Sequence, residues 1–475
     1  MSEARETGQH SRPCTVAAAV LVAGCAAALA LNWPGQLSYD SVVQLHDGRT
    51  GHYNPWHPPV MAWMLGVADR LLPGAGLFIL FDAVLLFASV LSLLWLARRP
   101  SWVAPIAALV CAALPQFLLY QGIVWKDVLF ADAAIAGFVL LAQSGAHWGR
   151  PWLRRSLVCA AFLFFALAGL ARQNGLIVLV VGALALSVVA SKEGLRWKGA
   201  LATGAGAFAG ALCVVVAASI ALAERTGGAP GAAGQIKLLQ LYDLIGEVKT
   251  DPALKFELLS RVNPDLVALI RTDGVRLYTP ARNDTLVTSA DLQNQFADTA
   301  PAAISAQWRE VLLRHPLDYL QVRARVFAWV FFTPDLRQCV AYYTGVNGPP
   351  QILQALGLKR RFRAQDRALV DYAALFASTP FFSHAAYAIL AIALFAFLAW
   401  RRRPADIAIA SMLAGALVFA ASFFVISIAC DYRYLLFLDL AALAASFYCA
   451  ATWRAVDRDR LMVQPPIGGV QGDGG

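Results

Sequence analysis

The sequence predicts an all-α polytopic membrane protein with about ten transmembrane helices, an interfacial helix in the first outer loop and a mainly helical extracytoplasmic region. Three observations carry this. Of 475 residues, 59% are hydrophobic and only 15% charged, whereas a soluble globular chain carries roughly 25% charged residues; mean hydropathy is +0.58. Apolar runs near the roughly 20 residues that cross a bilayer recur along the chain. The basic residues fall on alternate connections between those runs.

The runs are 14–31, 76–96, 101–119, 127–144, 156–171, 175–190, 199–223, 384–400, 405–428 and 434–451. The first follows a polar lead and resembles a signal sequence, but it is long enough to anchor and is read as an uncleaved helix. The stretch 58–74 is apolar but short and contains Asp69 and Arg70, so it is expected to lie in the interface.

One set of connections and the two termini hold sixteen basic residues: Arg5, Arg12, Arg98, Arg99, Arg150, Arg154, Arg155, Lys192, Arg196, Lys198, Arg401, Arg402, Arg403, Arg454, Arg458 and Arg460. The opposite short connections hold five: Arg49, Arg70, Lys126, Arg172 and Arg433. The positive-inside rule puts the sixteen and both termini in the cytoplasm. The net charge of +9 then stems from topology and implies no nucleic-acid partner. Four parts result: a transmembrane module 1–223 with a first outer loop 32–75, an extracytoplasmic region 224–383, transmembrane helices 384–451 and a cytoplasmic tail 452–475. Region 224–383 carries 18 basic and 15 acidic residues, so no single-sign field is expected from it. Its apolar run 326–332 is too short to span and is expected to dock on the membrane.

The candidate site residues all lie on the outer side. Residues 32–63, "NWPGQLSYDSVVQLHDGRTGHYNPWHPPVMAW", crowd aspartates, histidines and aromatics just past the first span. Asp40 suits a general base or, equally, a helix cap before "SVVQLHDG". His52, Trp56 and His57 sit in a strip stiffened by Pro58 and Pro59, where they could meet an acceptor or donor. Two histidines five apart outside a helix are a weak metal signal; no metal ligand is named and no cofactor is certain, which leaves room only for a divalent cation. Trp33, Trp56 and Trp125 are interfacial-belt residues by default.

Lys126 and Asp127 in "WKD" open a span, where a lysine opposes the helix dipole and wants a partner. Arg172 in "ARQNG" and Arg433 in "CDYRY" are lone arginines at outer turns. Guanidinium forks suit phosphate, and with Lys126 they outweigh separate headgroup binding. Asp82, Asp132 and Asp439 lie inside apolar runs, where carboxylates are costly and usually paired or functional. Of eight cysteines, six lie in or beside spans. Cys339 and Cys430 share the outer side; two free thiols are the expectation, a disulfide the alternative.

Together these features resemble the GT-C superfamily of integral membrane glycosyltransferases. The likeness rests on an acidic residue in a long first outer loop (Asp40 in "SYDS"), an interfacial helix after it, the Lys126–Asp127 pair at a later outer loop, and a large outer region before the last spans. "RHPLDYLQVRAR" at 314–325 and the Arg433–Tyr434 pair also look like pieces of bacterial members. The resemblance implies a polyprenyl-phosphate-linked sugar donor, a glycan, lipid or protein acceptor at the outer face of the cell (inner) membrane, and hexosyl or pentosyl transfer. It gives Asp40 the catalytic-base role, with Asp127 the second choice, and gives Lys126, Arg172 and Arg433 the carrier phosphate. The chain lacks the Asp-Glu pair of protein mannosyltransferases and the WWD-type motif of oligosaccharyltransferases, which weighs against those two acceptors. An O-antigen-type polymerase or ligase using a polyprenyl-diphosphate donor would carry its distinctive Arg and His residues in the large loop. A lipid or solute transporter would show internal repeats, and none is found.

Overall fold

The structure, a computed structural model, describes residues 2–54, 56–97, 101–226 and 231–453. The basic residues Arg98, Arg99, Arg454, Arg458 and Arg460 and most of the tail 452–475 lie outside the described residues, as does part of the link at 227–230.

Helix α1 (Ser2–Asn32) leads to two short helices, α2 (Tyr39–Thr50) and α3 (Pro59–Leu71). Helix α2 lies in the stretch whose polar and aromatic crowding hides any period, and α3 falls on the short apolar stretch 58–74. They cross at Gly48 and Gly66, where a Cβ on Gly48 would sit 2.2 Å from the Ala62 carbonyl; side chains there would force the helices apart. The bundle continues with α4 (Gly76–Ser92), α5 (Val103–Ala113), α6 (Pro115–Leu118), α7 (Lys126–Ala146), α8 (Pro151–Ala171), α9 (Leu176–Lys192) and α10 (Trp197–Ala223). A helical region comes next: α11 (Gly231–Thr250), α12 (Glu257–Val262), α13 (Pro264–Leu269), α14 (Val275–Leu277), α15 (Ala290–Asp298), α16 (Pro301–Arg314), α17 (Pro316–Phe332), α18 (Pro350–Leu356) and α19 (Ala364–Ala374). Helices α20 (His384–Arg401), α21 (Pro404–Ile426) and α22 (Leu436–Ala451) complete the bundle. Among the described residues there is no strand, only isolated bridges such as Gln36 with Ile123.

Nine of these helices are long and apolar enough to cross a membrane, and a tenth crossing comes from a pair bent by 65° at Leu114. Pro115 makes the break, since it offers no N–H to α5 and clashes with the preceding turn. The bent pair crosses rather than turning back. Gly35 packs against Ala75, and the Gln36 N–H donates to the Gly122 carbonyl at 2.8 Å. The start of α4 and the end of the bent pair are therefore at the same end of the bundle as the end of α1. At the opposite end Gln143 Nε2 donates to the Ser92 carbonyl at 2.7 Å, and Arg401 donates to Thr452 Oγ1 at 3.0 Å.

The region after α10 has its own apolar core around Leu241, Tyr242, Ile245, Ile270 and Ile304, while its later part (Cys339, Leu353, Phe382) joins the core of the bundle. Helix α17 docks on protein: Arg323, fully buried, donates through Nε to the Phe424 carbonyl of α21 at 2.8 Å and pairs with Asp243 at 2.9 Å. Within the run 326–332, Val326 and Val330 are buried and Phe332 at its end is exposed. Cys339 and Cys430 form a disulfide, with Cα atoms 4.9 Å apart. This corrects the expectation of two free thiols; the fold brings together residues 91 positions apart, a proximity that spacing alone does not reveal.

Candidate functional site

The site forms where the first loop meets the start of α7. The extended residues before Lys126 pair with the chain at Gln36: the Val124 N–H donates to the Gln36 carbonyl at 3.1 Å. Ser41 Oγ donates to the Val124 carbonyl at 2.5 Å, and Trp125 Nε1 donates to Ser38 Oγ at 3.0 Å. These bonds hold the first turn of α2 against residues 124–126. Ser38, not Asp40, is the residue at the N-cap position. Asp40 is the second residue of α2, in its first turn, so the capping alternative does not describe it.

Arg433 occupies the centre. It leaves a tight turn, Tyr432–Leu435, and donates to Asp40 Oδ2 at 3.0 Å. It also contacts Asp431 Oδ2 at 2.9 Å, lies 3.6 Å from Asp127 Oδ2 and stacks 4.7 Å over the Trp125 ring. Arg172, in the bend between α8 and α9, is ion-paired with Asp127 and flanked by Phe423 and Tyr434, each ring 5.2 Å away. Lys126 Nζ is 3.2 Å from His57 Nδ1, and His57 Nε2 is 3.9 Å from Asp40 Oδ1. Thus the partner that Lys126 wants at a helix start is His57.

The Arg433 turn is anchored from behind. Cys430 carries the disulfide, and the Tyr432 N–H donates to the Cys339 carbonyl at 2.7 Å. The Tyr432 hydroxyl donates to Asp439 at 2.7 Å, and Asp439 also pairs with His384 Nδ1 at 2.8 Å. Arg282 adds a further cation, 2.9 Å from Asp431 and 3.3 Å from Asp284.

The two candidate carboxylates differ sharply. The Asp40 side chain is 35% exposed, whereas Asp127 is 2% exposed and held between two guanidinium groups. Burial alone would raise the Asp40 carboxyl; Arg433, His57 and Lys126 together draw it below its ordinary value. Burial, and then Lys126 beside it, push His57 down to about 3. At neutral pH Asp40 is therefore an ionised, water-facing carboxylate and His57 a neutral imidazole. Asp127, the second candidate base, has the geometry of a counter-ion for Arg172 and Arg433.

Of the residues singled out in the sequence, Asp40, His57, Lys126, Asp127, Arg172 and Arg433 are brought together. His52 and Trp56 are exposed and touch none of these six side chains; the Trp56 carbonyl accepts from Gln235 Nε2 at 2.5 Å. Three parts of the site were hidden in the sequence: Asp431 with Arg282, the His384–Asp439–Tyr432 anchor, and Trp125 as a platform for Arg433. Only Asp439 gave a signal, as a carboxylate inside an apolar run. Of the other two intramembrane carboxylates, Asp132 is 3.4 Å from Gln121 Nε2, and the Asp82 oxygens have no hydrogen-bond partner. Among the described residues no group of three or more His, Cys, Asp or Glu side chains is placed to share a metal ion.

Fold and site define an all-helical, multi-pass membrane protein with a cationic cluster around the half-buried Asp40 carboxylate at one end of the bundle. No protein-family model matches the chain, and no curated protein does. Among solved structures it is similar to the archaeal oligosaccharyltransferase AglB from Archaeoglobus fulgidus in complex with an inhibitory peptide and a dolichol-phosphate, at TM-score 0.40 and 13% identity, over 94% of this chain and 51% of that one. A second structure from the same organism, an oligosaccharyltransferase complex with Zn and sulfate, gives TM-score 0.42 and 14% identity over 93% and 50%. The chain spans about half the length of these proteins. Its own side chains, rather than that distant likeness, carry the functional conclusion.

Proposed function

We propose that this chain is a GT-C-type membrane glycosyltransferase that moves a sugar from a polyprenyl-phosphate carrier to an acceptor at the outer face of the cell membrane. One observation carries the reading. The exposed, ionised Asp40 carboxylate is hydrogen-bonded to Arg433 at 3.0 Å, so a base and a phosphate-binding cation meet in one cluster, with Lys126 and Arg172 behind them.

In this reaction the acceptor hydroxyl gives its proton to Asp40 as its oxygen attacks the anomeric carbon. The bond from that carbon to the carrier phosphate oxygen breaks, and its electron pair stays on the phosphate. Arg433, Arg172 and Lys126 stabilise the charge that develops there. Asp127 and Asp431 keep the guanidinium groups compensated when no phosphate is bound. Neutral His57 orients Lys126 and Asp40, and His52 and Trp56 at the open side meet the incoming sugar or acceptor. Proton removal by a positioned base contributes roughly 10²–10⁴ in rate.

The outward orientation has two supports. The positive-inside count directs the basic end of the bundle to the cytoplasm, with both termini there. The Cys339–Cys430 disulfide lies on the site face, and disulfides persist in oxidising compartments. The test is reconstitution of purified protein in lipid nanodiscs with a radiolabelled sugar on polyprenyl phosphate and a membrane extract as acceptor. The proposal expects label transfer with stoichiometric release of polyprenyl phosphate. A well-folded preparation that neither binds the donor nor releases the carrier would refute it.

A further inference from the structure

Five cations fall within nine residues, Lys359, Arg360, Arg361, Arg363 and Arg367, on the same end of the bundle as the site but outside the cluster just described. Averaged over 224–383 they vanish into a near-neutral charge balance. In the structure Arg361 and Arg363 pair with Asp366 at 3.7 and 3.5 Å, and Asp371 is the other carboxylate of the segment. Asp366 is fully buried and already accepts from the Arg363 N–H at 2.7 Å. Lys359, Arg360, Arg363 and Arg367 are exposed.

The segment is tied to the ends of membrane-crossing helices. Arg361 donates to the Gly35 carbonyl at 2.9 Å and to Gln36 Oε1 at 3.2 Å. Gln365 Nε2 donates to the Ala30 carbonyl at 3.3 Å and to that of Leu31, in the last turn of α1. The Tyr372 hydroxyl donates to the Ala113 carbonyl at the end of α5. Helix α19 therefore lies across the ends of α1 and α5, level with the end of the apolar run 14–31. Phe362, 56% exposed, sits in the middle of the cationic run, with Trp33 and Leu375 exposed nearby. Aromatic residues at that level belong to the membrane–water boundary.

We propose that residues 359–367 and α19 form a docking surface for the headgroups of anionic phospholipids in the leaflet next to the site. Charge complementarity supplies the attraction, at about 1 kcal/mol for each Lys or Arg near an anionic surface. The level of the segment, and the exposed apolar side chains within it, favour a bilayer lipid over a soluble polyanion. The surface would hold the first loop, through Arg361 and Gln36, at a fixed depth relative to the headgroups.

The test uses the full chain extracted in mild detergent, offered phosphatidylglycerol or phosphatidylcholine, with bound lipid counted by native mass spectrometry. The triple variant K359Q/R360Q/R367Q removes three exposed charges and leaves the Arg361 and Arg363 backbone contacts intact. Three charges at about 1 kcal/mol each correspond to roughly a hundred-fold weaker retention of phosphatidylglycerol, with phosphatidylcholine unaffected. Equal retention of both lipids by the wild-type protein would overturn the proposal, as would wild-type phosphatidylglycerol retention by the triple variant. Displacement of the lipid by excess glycerol phosphate would also overturn it, assigning the cations to a soluble phosphate. Lipid retention involves no sugar transfer, so this result is separable from the fate of the glycosyltransferase reading.

Discussion

Replacing Arg433 by Gln removes the one side chain that reaches Asp40, Asp127 and Asp431 together. Arg433 reaches Asp40 at 3.0 Å and Asp431 at 2.9 Å, and lies 3.6 Å from Asp127. A hydrogen bond to a charged group is worth about 1.5–3 kcal/mol, so losing the contact to a bound phosphate should weaken donor binding roughly 10- to 150-fold. A second effect runs through Asp40. With Arg433 gone, the largest influence holding the Asp40 carboxyl down is lost while burial still raises it, and the carboxyl should move upward. The acidic limb of the rate profile would then shift to higher pH. Arg433→Lys keeps the charge but not the fork, and should recover part of the affinity. The assays are donor binding by isothermal titration in nanodiscs and transfer rate against pH. An Arg433→Gln protein with unchanged affinity and an unshifted acidic limb would show that Arg433 neither binds the donor nor tunes Asp40.

His57 stays neutral down to about pH 3 and Asp40 stays ionised above its lowered value, so these two groups should contribute no inflection to the rate between about pH 5 and 8; a limb near pH 6.5 that disappears in His57→Asn would contradict this. Asp127→Asn leaves Arg172 without its buried partner, a change that costs about 3–5 kcal/mol; a lower melting temperature and poor folded yield are expected, and a fully stable but inactive protein would contradict the counter-ion role. Replacing Cys339 and Cys430 by Ser should destabilise the protein by about 2–5 kcal/mol and weaken donor binding through the adjacent Arg433 turn; intact binding with full stability would show that the turn needs no staple. Thiol labelling followed by mass spectrometry should find both cysteines unreactive before reduction.

Much of the bundle was legible because bilayer-crossing helices leave long apolar runs whose ends carry asymmetric charge. Even the break at Leu114 had its signal in Pro115, although 101–119 reads as an unbroken run. The site was legible to the extent that Lys126, Arg172 and Arg433 are exceptions to the charge asymmetry. What each exception pairs with was not. Asp127 looks like a second base in sequence because its two guanidinium partners are 45 and 306 positions away along the chain. His52 and His57 look equivalent in "HYNPWHPP", yet only His57 turns toward Lys126. Arg282 sits among ordinary surface charges, and only folding brings it to Asp431. The docking surface escaped for a related reason: a near-neutral sum over 160 residues conceals where its cations gather.

The assignment of Asp40 as the base is tested most sharply by single-turnover transfer in Asp40→Asn, with donor affinity determined on the same preparation. The substitution keeps the shape and much of the hydrogen-bonding capacity while removing basicity. The chemical step should slow by roughly 10²–10⁴, while donor affinity stays within a few-fold, since Arg433, Arg172 and Lys126 remain. An Asp40→Asn protein that transfers sugar at near the wild-type rate would contradict the assignment.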